Sequence, residues 1–122
     1  MAVENDRLTE KMIGLAIEVH RQLGHGLLES AYEECLCLEL QEAGLAFRRQ
    51  VPLPIIYKSV RLDCGYRFDL LIEDQLIREL KSVKGLLPIQ VLTYMKLSGI
   101  CAGLLLNFNS TVLKNGIRRL ML

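Results

Sequence analysis

Apolar positions recur at helical spacing along the first third of the chain. Between Asn5 and Leu23 they fall at Leu8, Met12, Leu15, Ala16, Val19 and Leu23, one stripe of a helix, with Gly24 placed to stop it. Glu10, Lys11, Glu18 and Arg21 take flanking or outer positions, so this helix reads as cover for a core. His20 reads as an ordinary half-exposed side chain. Gly24-His25-Gly26 predicts a turn, and a second helix follows from about Leu27 to Ala43, ended by Gly44.

Beyond Gly44 the period shortens. Leu45–Tyr57 starts extended, and Pro52 and Pro54 remove two ladder donors, which suits an edge strand or a strand end. Val60–Leu62 continues outward, and Asp63-Cys64-Gly65 makes a turn or bulge. Tyr66–Val83 is two short apolar runs joined by a polar turn, the pattern of a hairpin. Lys84-Gly85 turns the chain, and Pro88 suits the first turn of a helix running to about Ser98 with Gly99 as its cap. Ile100–Phe108 is apolar on both faces. Such a run fits a buried strand, parallel to its neighbour and reached by a right-handed helical crossover. Asn115-Gly116 is a turn signal before Ile117–Leu122, a last short strand or a docked tail. The order is helix, helix, three antiparallel strands, helix, strand: one α+β domain over residues 1–122, its helices packed on a small mixed central sheet.

The hairpin carries charge where a buried strand should not. Asp69 lies in its first run, and Glu79 and Lys81 lie in its second as E-x-K. Side chains alternate along a strand, so Glu79 and Lys81 share a face with Ile77 and Val83, while Leu76, Arg78, Leu80 and Ser82 take the other. The pattern fits a solvated face, with Arg67, Asp69, Glu79 and Lys81 in surface ion pairs, or a site. On the second helix Glu29 and Tyr32 stand three apart and share a face, and Glu33 neighbours Glu29. Glu29 also sits at the positive end of the helix dipole, worth about 0.3–1 kcal/mol with no further role. Gln90 and Tyr94 are one turn apart on the third helix.

Composition changes little. At 122 residues the chain can bury about two-thirds of its unfolded surface. It is 51% hydrophobic and 24% charged with a net charge of +1, so nothing global pushes it toward nucleic acid, membrane or acidic partners. A nucleic-acid function must rest on local clusters. No apolar run reaches the roughly 18 residues of a membrane span and no charged-then-apolar leader opens the chain, so the cytoplasm is the expected compartment. Cys35, Cys37, Cys64 and Cys101 show no C-x-x-C and no spacing with His20 or His25 that suits zinc. They are expected to be reduced, mostly packed thiols.

Taken in order, G-x-x-E-x-x-Y at Gly26, Glu29 and Tyr32, then Asp69, E-x-K at Glu79–Lys81, and Q-x-x-x-Y at Gln90–Tyr94 form a set. That set resembles the GxxExxY family, a small and mostly uncharacterised branch of the PD-(D/E)XK nuclease-like superfamily. The resemblance runs from about Leu8 to Arg119 and takes in L-L-N-F at Leu105–Phe108 and K-x-G-I-R-R at Lys114–Arg119. It implies a restriction-endonuclease-like core in which Glu29, Asp69 and Glu79 hold one or two Mg²⁺ ions, or Mn²⁺ in their place. It makes Asp69, Glu79 and Lys81 the catalytic residues. Lys81 would orient the attacking water or balance charge on the scissile phosphate. Gln90, Tyr94 and Tyr32 would position substrate. The function implied is Mg²⁺-dependent phosphodiester hydrolysis, on DNA rather than RNA; the alternative is an inactive nuclease fold serving as a binding or assembly module. A homodimer would let such a nuclease reach two strands, and the edge near Pro52 offers a place for self-association. The chain departs from the family at one point: where a histidine commonly precedes the glutamine, in a segment like P-I-H-x-A-Q, Pro88-Ile89-Gln90 is about three residues shorter and has none.

The chemistry agrees with this assignment. Hard divalent cations take carboxylate oxygens and keep several waters. Three converging carboxylates without a cation would drive one another to protonate. Register then provides a test. If the hairpin loop is the three residues Glu73-Asp74-Gln75, Ile72 pairs with Leu76 and Asp69 falls opposite Glu79, with Cβ atoms about 4.5–5.5 Å apart. A two-residue loop instead pairs Asp69 with Arg78 and puts Glu79 on the far face. Basic residues at Arg48, Arg49, Lys58, Arg61, Arg67, Lys84, Lys96, Arg118 and Arg119 are either solvated surface or contacts for a nucleic acid.

Overall fold

In the computed structural model, which describes residues 2–81, 88–108 and 110–121 and the side chains of 7–76, 91–108 and 110–121, the two periods resolve into layers. Helices α1 (Ala2–Leu23) and α2 (Glu29–Glu42) precede strands β1 (Phe47–Pro52), β2 (Ile55–Tyr57), β3 (Val60–Leu62), β4 (Arg67–Ile72) and β5 (Leu76–Lys81). Helix α3 (Pro88–Ser98), β6 (Ala102–Asn107), a 3-10 turn (Leu113–Gly116) and β7 (Ile117–Met121) follow. Five strands form one sheet in the order β1-β4-β5-β6-β7. The β5–β6 pair is parallel and the other pairs are antiparallel, so α3 makes the crossover that the apolar run at Ile100–Phe108 predicted.

The predicted stripe of α1 is the core. Leu8, Met12, Ala16 and Val19 are buried, and they join Tyr32, Leu36 and Leu40 of α2 against Leu70, Ile72, Leu104 and Leu106 of the sheet. A second cluster joins Val91 and Met95 of α3 to Phe68, Leu71 and Leu105. Leu105 thus serves one layer while its neighbours Leu104 and Leu106 serve the other, the alternation of a strand buried on both faces. Gly103 lets α3 come close, since a Cβ there would lie 2.6 Å from Met95 Sδ and 3.0 Å from Val91 Cγ1.

Three local expectations need correction. Val60–Leu62 does not continue outward: it pairs back on Ile55–Tyr57 through Lys58 and Ser59, both left-handed at φ 49° and 67°. The chain therefore makes five strands before α3, of which β1, β4 and β5 are the antiparallel part of the main sheet. Lys-Ser lacks the Asn or Gly that usually announces such a two-residue turn, so the sequence hid it. The second helix begins at Glu29, with Leu28 still extended, and Glu29 becomes its first residue. Finally, the cysteines are free, but Cys64 and Cys101 are exposed and Cys37 alone is fully packed.

Candidate metal centre

The G-x-x-E-x-x-Y segment has a mechanical explanation at each of its three positions. Gly26 stands at φ 97°, a conformation that side chains rarely adopt. Six residues on, Tyr32 is fully buried with its ring stacked on Phe108 at 4.5 Å and 13°. Its hydroxyl donates to the Gly24 carbonyl (2.8 Å) and accepts from the Leu27 amide (3.0 Å). Both ends of the interhelical turn are therefore tied to one core residue. That tie sets where α2 starts, and its first residue is Glu29, half-buried one turn before Tyr32.

Register brings the sheet residues to the same place. The hairpin between β4 and β5 has the three-residue loop Glu73–Gln75, with Glu73 and Asp74 left-handed at φ 53° and 54° and the Gln75 amide donating to the Ile72 carbonyl at 3.0 Å. Ile72 pairs with Leu76, Leu71 with Ile77 and Leu70 with Arg78. One further step of this register sets Asp69 opposite Glu79, and the two-residue loop is excluded. The loop is held from outside as well. Ala46 donates its amide to Glu73 Oε1 (2.9 Å), the Glu73 amide donates to the Ala46 carbonyl (2.8 Å), and Arg48 pairs with Asp74 at 2.9 Å.

Glu29 and Asp69 line one cleft of about 210 Å³ together with Ser30, Glu33 and Gln50. Gln50 stands opposite Asp69 between the pairs Arg49–Leu70 and Val51–Phe68, at a step where the β1–β4 ladder makes no pair. Its backbone is left-handed at φ 49°. Its amide Nε2 reaches Glu33 Oε1 at 3.3 Å and, more weakly, Asp69 Oδ1 at 3.5 Å. Arg49 donates to Glu33 (2.8 Å) and Glu34 (2.6 Å). The hydrogen bond from Arg49 holds the Glu34 carboxyl below its usual range, and the two carboxylates, Glu34 first, hold the guanidinium proton more firmly still.

The structure therefore brings Glu29 and Asp69 together and places Glu79 across from Asp69 by its backbone. The side chains of Glu79, Lys81 and Gln90 lie outside the described residues, as does the Ser82–Leu87 segment before Pro88. Lys81 pairs with Asn107 of β6. Tyr94 is half-buried against the α3 cluster, its ring 6.3 Å from that of Tyr66. Tyr32, expected among the substrate-positioning residues, is placed in the core instead, with its hydroxyl engaged by backbone. His20 is half-exposed and hydrogen-bonded to the Ser110 carbonyl at 2.9 Å. Three cleft residues, Ser30, Glu33 and Gln50, escaped the sequence reading as site members. Glu33 had a usable signal, since it is one turn beyond Glu29; Gln50 had none, because only long-range pairing puts it beside Asp69.

Among the described residues no three His, Cys, Asp or Glu are grouped to hold a metal, Glu79 lying outside that set. The donors that line the cleft are oxygens of carboxylate, amide and hydroxyl, with no thiol or imidazole, a set suited to a hard cation and unsuited to zinc. Among the described residues no helix is long and apolar enough to cross a membrane. A model of the PD-(D/E)XK nuclease superfamily matches residues 6–120. No curated protein and no solved structure matches the chain.

Proposed function

We infer that this chain, which belongs to the PD-(D/E)XK nuclease superfamily, is a divalent-metal-dependent nuclease of the GxxExxY branch that hydrolyses phosphodiester bonds in DNA in preference to RNA. The observation that carries the reading is the meeting of Glu29 and Asp69 in one oxygen-lined cleft, with a hairpin register that sets Asp69 opposite Glu79.

Members of the superfamily generally use divalent metal ions. Glu29, Asp69 and Glu79 are the residues that would hold the ion, Mg²⁺ or Mn²⁺, and Asp69 and Glu79 belong to both the ligand set and the catalytic set. When bound, such an ion supplies a Lewis acid to the phosphoryl oxygen and a lowered pKa to an attacking water. The protein supplies the placement. The Tyr32 tie fixes the start of α2 and with it Glu29, so Tyr32 acts on the site through the backbone. Gln50 steadies Asp69 from the opposite strand. Lys81, two residues beyond Glu79, is the catalytic lysine, orienting the water or balancing charge on the scissile phosphate. Gln90 and Tyr94 on α3 position substrate.

Calorimetric titration of Mg²⁺ and Mn²⁺ into wild type and Asp69→Ala tests the centre, and divalent-dependent cleavage of duplex DNA tests the chemistry. Wild type should take up metal and cut. Asp69→Ala should lose both, and Lys81→Ala should lose cleavage while its melting temperature stays that of wild type. A folded wild type that binds neither ion would overturn the reading in favour of a non-cleaving binding or assembly module.

A further inference from the structure

The β2–β3 ribbon is rooted beside the cleft. The chain leaves the main sheet at Pro52 and re-enters at Arg67, and these two residues are paired, two positions along their strands from Gln50 and Asp69. The root is fixed: Leu53 is buried in the α3 cluster and its amide donates to the Tyr66 carbonyl at 2.8 Å. The ribbon beyond is not covered by the described residues. Ile56 is 61% exposed, Tyr57 60% and Val60 55%. A two-stranded ribbon with apolar side chains in water is a poor use of β-branched and aromatic residues unless something receives it.

Charge identifies the receiver. Residues 55–62 read I-I-Y-K-S-V-R-L, two cations and no acid. On the neighbouring strand β1 the arginines are neutralised, Arg48 by Asp74 and Arg49 by Glu33 and Glu34. Among the described residues no carboxylate pairs with Lys58, Arg61 or Arg67, and the Lys58 ammonium sits 5.6 Å from the Tyr57 ring centre. We propose that the β2–β3 ribbon is an arm that enters the major groove of duplex DNA next to the phosphate held in the cleft, with Lys58, Arg61 and Arg67 on backbone phosphates. The proposal rests on the nuclease reading of that cleft.

The dimensions agree. Three strand residues at about 3.3 Å each project about 10 Å, against a major groove about 8.5 Å deep and wide enough for a two-stranded ribbon. Tyr57 and Val60, paired on one face of the ribbon, offer apolar contact to thymine methyl groups in that groove. The major groove of A-form RNA is too narrow to admit the arm, so the partner is DNA.

Fluorescence anisotropy of a labelled 20-base-pair duplex, in EDTA so that nothing is cut, tests this across a salt series. The proteins are wild type, the double variant Lys58→Glu/Arg61→Glu, and Arg48→Glu as a control away from the arm. The double variant should bind at least ~10-fold more weakly, and its slope of log affinity on log salt should be shallower by about 1.8, roughly 0.9 for each phosphate that is no longer neutralised. Arg48→Glu should keep most of the wild-type slope and melt slightly lower, since it loses its pair with Asp74. The double variant should melt with wild type, because its side chains are exposed and no carboxylate among the described residues pairs with them. A double variant with wild-type affinity and slope overturns the arm and leaves the nuclease reading standing. So does equally tight binding of the matching RNA duplex, or a wild-type dimer that the double variant breaks without change in DNA affinity. A wild type that binds no duplex overturns the arm, and the nuclease reading is then decided separately by metal titration and divalent-dependent cleavage.

Discussion

Replacing Tyr32 by phenylalanine keeps the ring that stacks on Phe108 and removes only the hydroxyl. Two hydrogen bonds go with it, to the Gly24 carbonyl at 2.8 Å and from the Leu27 amide at 3.0 Å. Each is worth about 0.5–1.5 kcal/mol net, which brackets the loss at roughly 1–3 kcal/mol. Both bonds are part-buried, so water recovers some of what is lost, and the expected cost is about 1–2 kcal/mol. For a chain of this size that is a drop in melting temperature of roughly 4–8 °C. Urea denaturation followed by circular dichroism measures it, with the midpoint falling and the slope unchanged. A loss below about 0.5 kcal/mol would show that the turn is held by something else and refute the reasoning.

The same variant separates two roles for Tyr32. If its hydroxyl touched substrate, Tyr32→Phe would lose turnover at unaltered stability and metal affinity. The geometry leads to the opposite expectation. Stability falls, and Mg²⁺ affinity falls with it because Glu29 begins the helix that the freed turn no longer places.

Gly116→Ala should cost about 1–3 kcal/mol by urea denaturation, because the added Cβ would lie 2.5 Å from the Asn107 carbonyl oxygen and 2.5 Å from Ser110 Oγ, and the first of these is backbone. Arg49→Ala should lower the melting temperature at pH 7, and the difference from wild type should close in acid. The Glu34 carboxyl is depressed by Arg49, so its contribution is present above the unfolded value of about 4.3 and disappears as pH falls through the lower folded value. A difference that persists unchanged at pH 2 would assign the effect to packing. Gln50→Gly should leave stability unchanged or raise it by about 1 kcal/mol, since glycine adopts the left-handed backbone without strain. It should also weaken Mg²⁺ binding by about 10–100-fold, the usual loss on removing a side chain that holds a ligand; calorimetry at wild-type affinity would remove Gln50 from the site.

The parts of the fold legible in the sequence are those set by local period and punctuation. The stripe from Leu8 to Leu23 predicts the buried face of α1, and Pro88 and Gly99 bracket α3 because one fits a first turn and the other takes φ 77° as a stop. The unbroken apolar run before Phe108 implies a strand covered on both sides, and Leu104 and Leu105 are buried in different layers. Illegible were the β2–β3 ribbon, turned by a Lys-Ser pair that pays a left-handed cost at both residues, and the exposure of Cys64 and Cys101, which depends on which loop each lies in.

The site divides in the same way. Resemblance to the family's ordered motifs points to Glu29 and Asp69, and the parity of a three-residue loop ties Asp69 to Glu79, because register in a hairpin is local information. What spacing cannot contain is the strand on the other side of Asp69. Pairing between β1 and β4 spans the ribbon, so nothing near Gln50 in the chain says that it stands opposite the carboxylate. Yet that is where the ladder skips a pair and a residue with a full side chain takes the left-handed backbone. Such strain persists only where surrounding structure imposes it, and here it lies in the wall of the cleft that Glu29 and Asp69 share. A regular β1 would pair with Asp69 as an ordinary strand residue. The irregular one brings an amide within reach of both Asp69 and Glu33, so the departure from β geometry is itself part of how the carboxylates are placed.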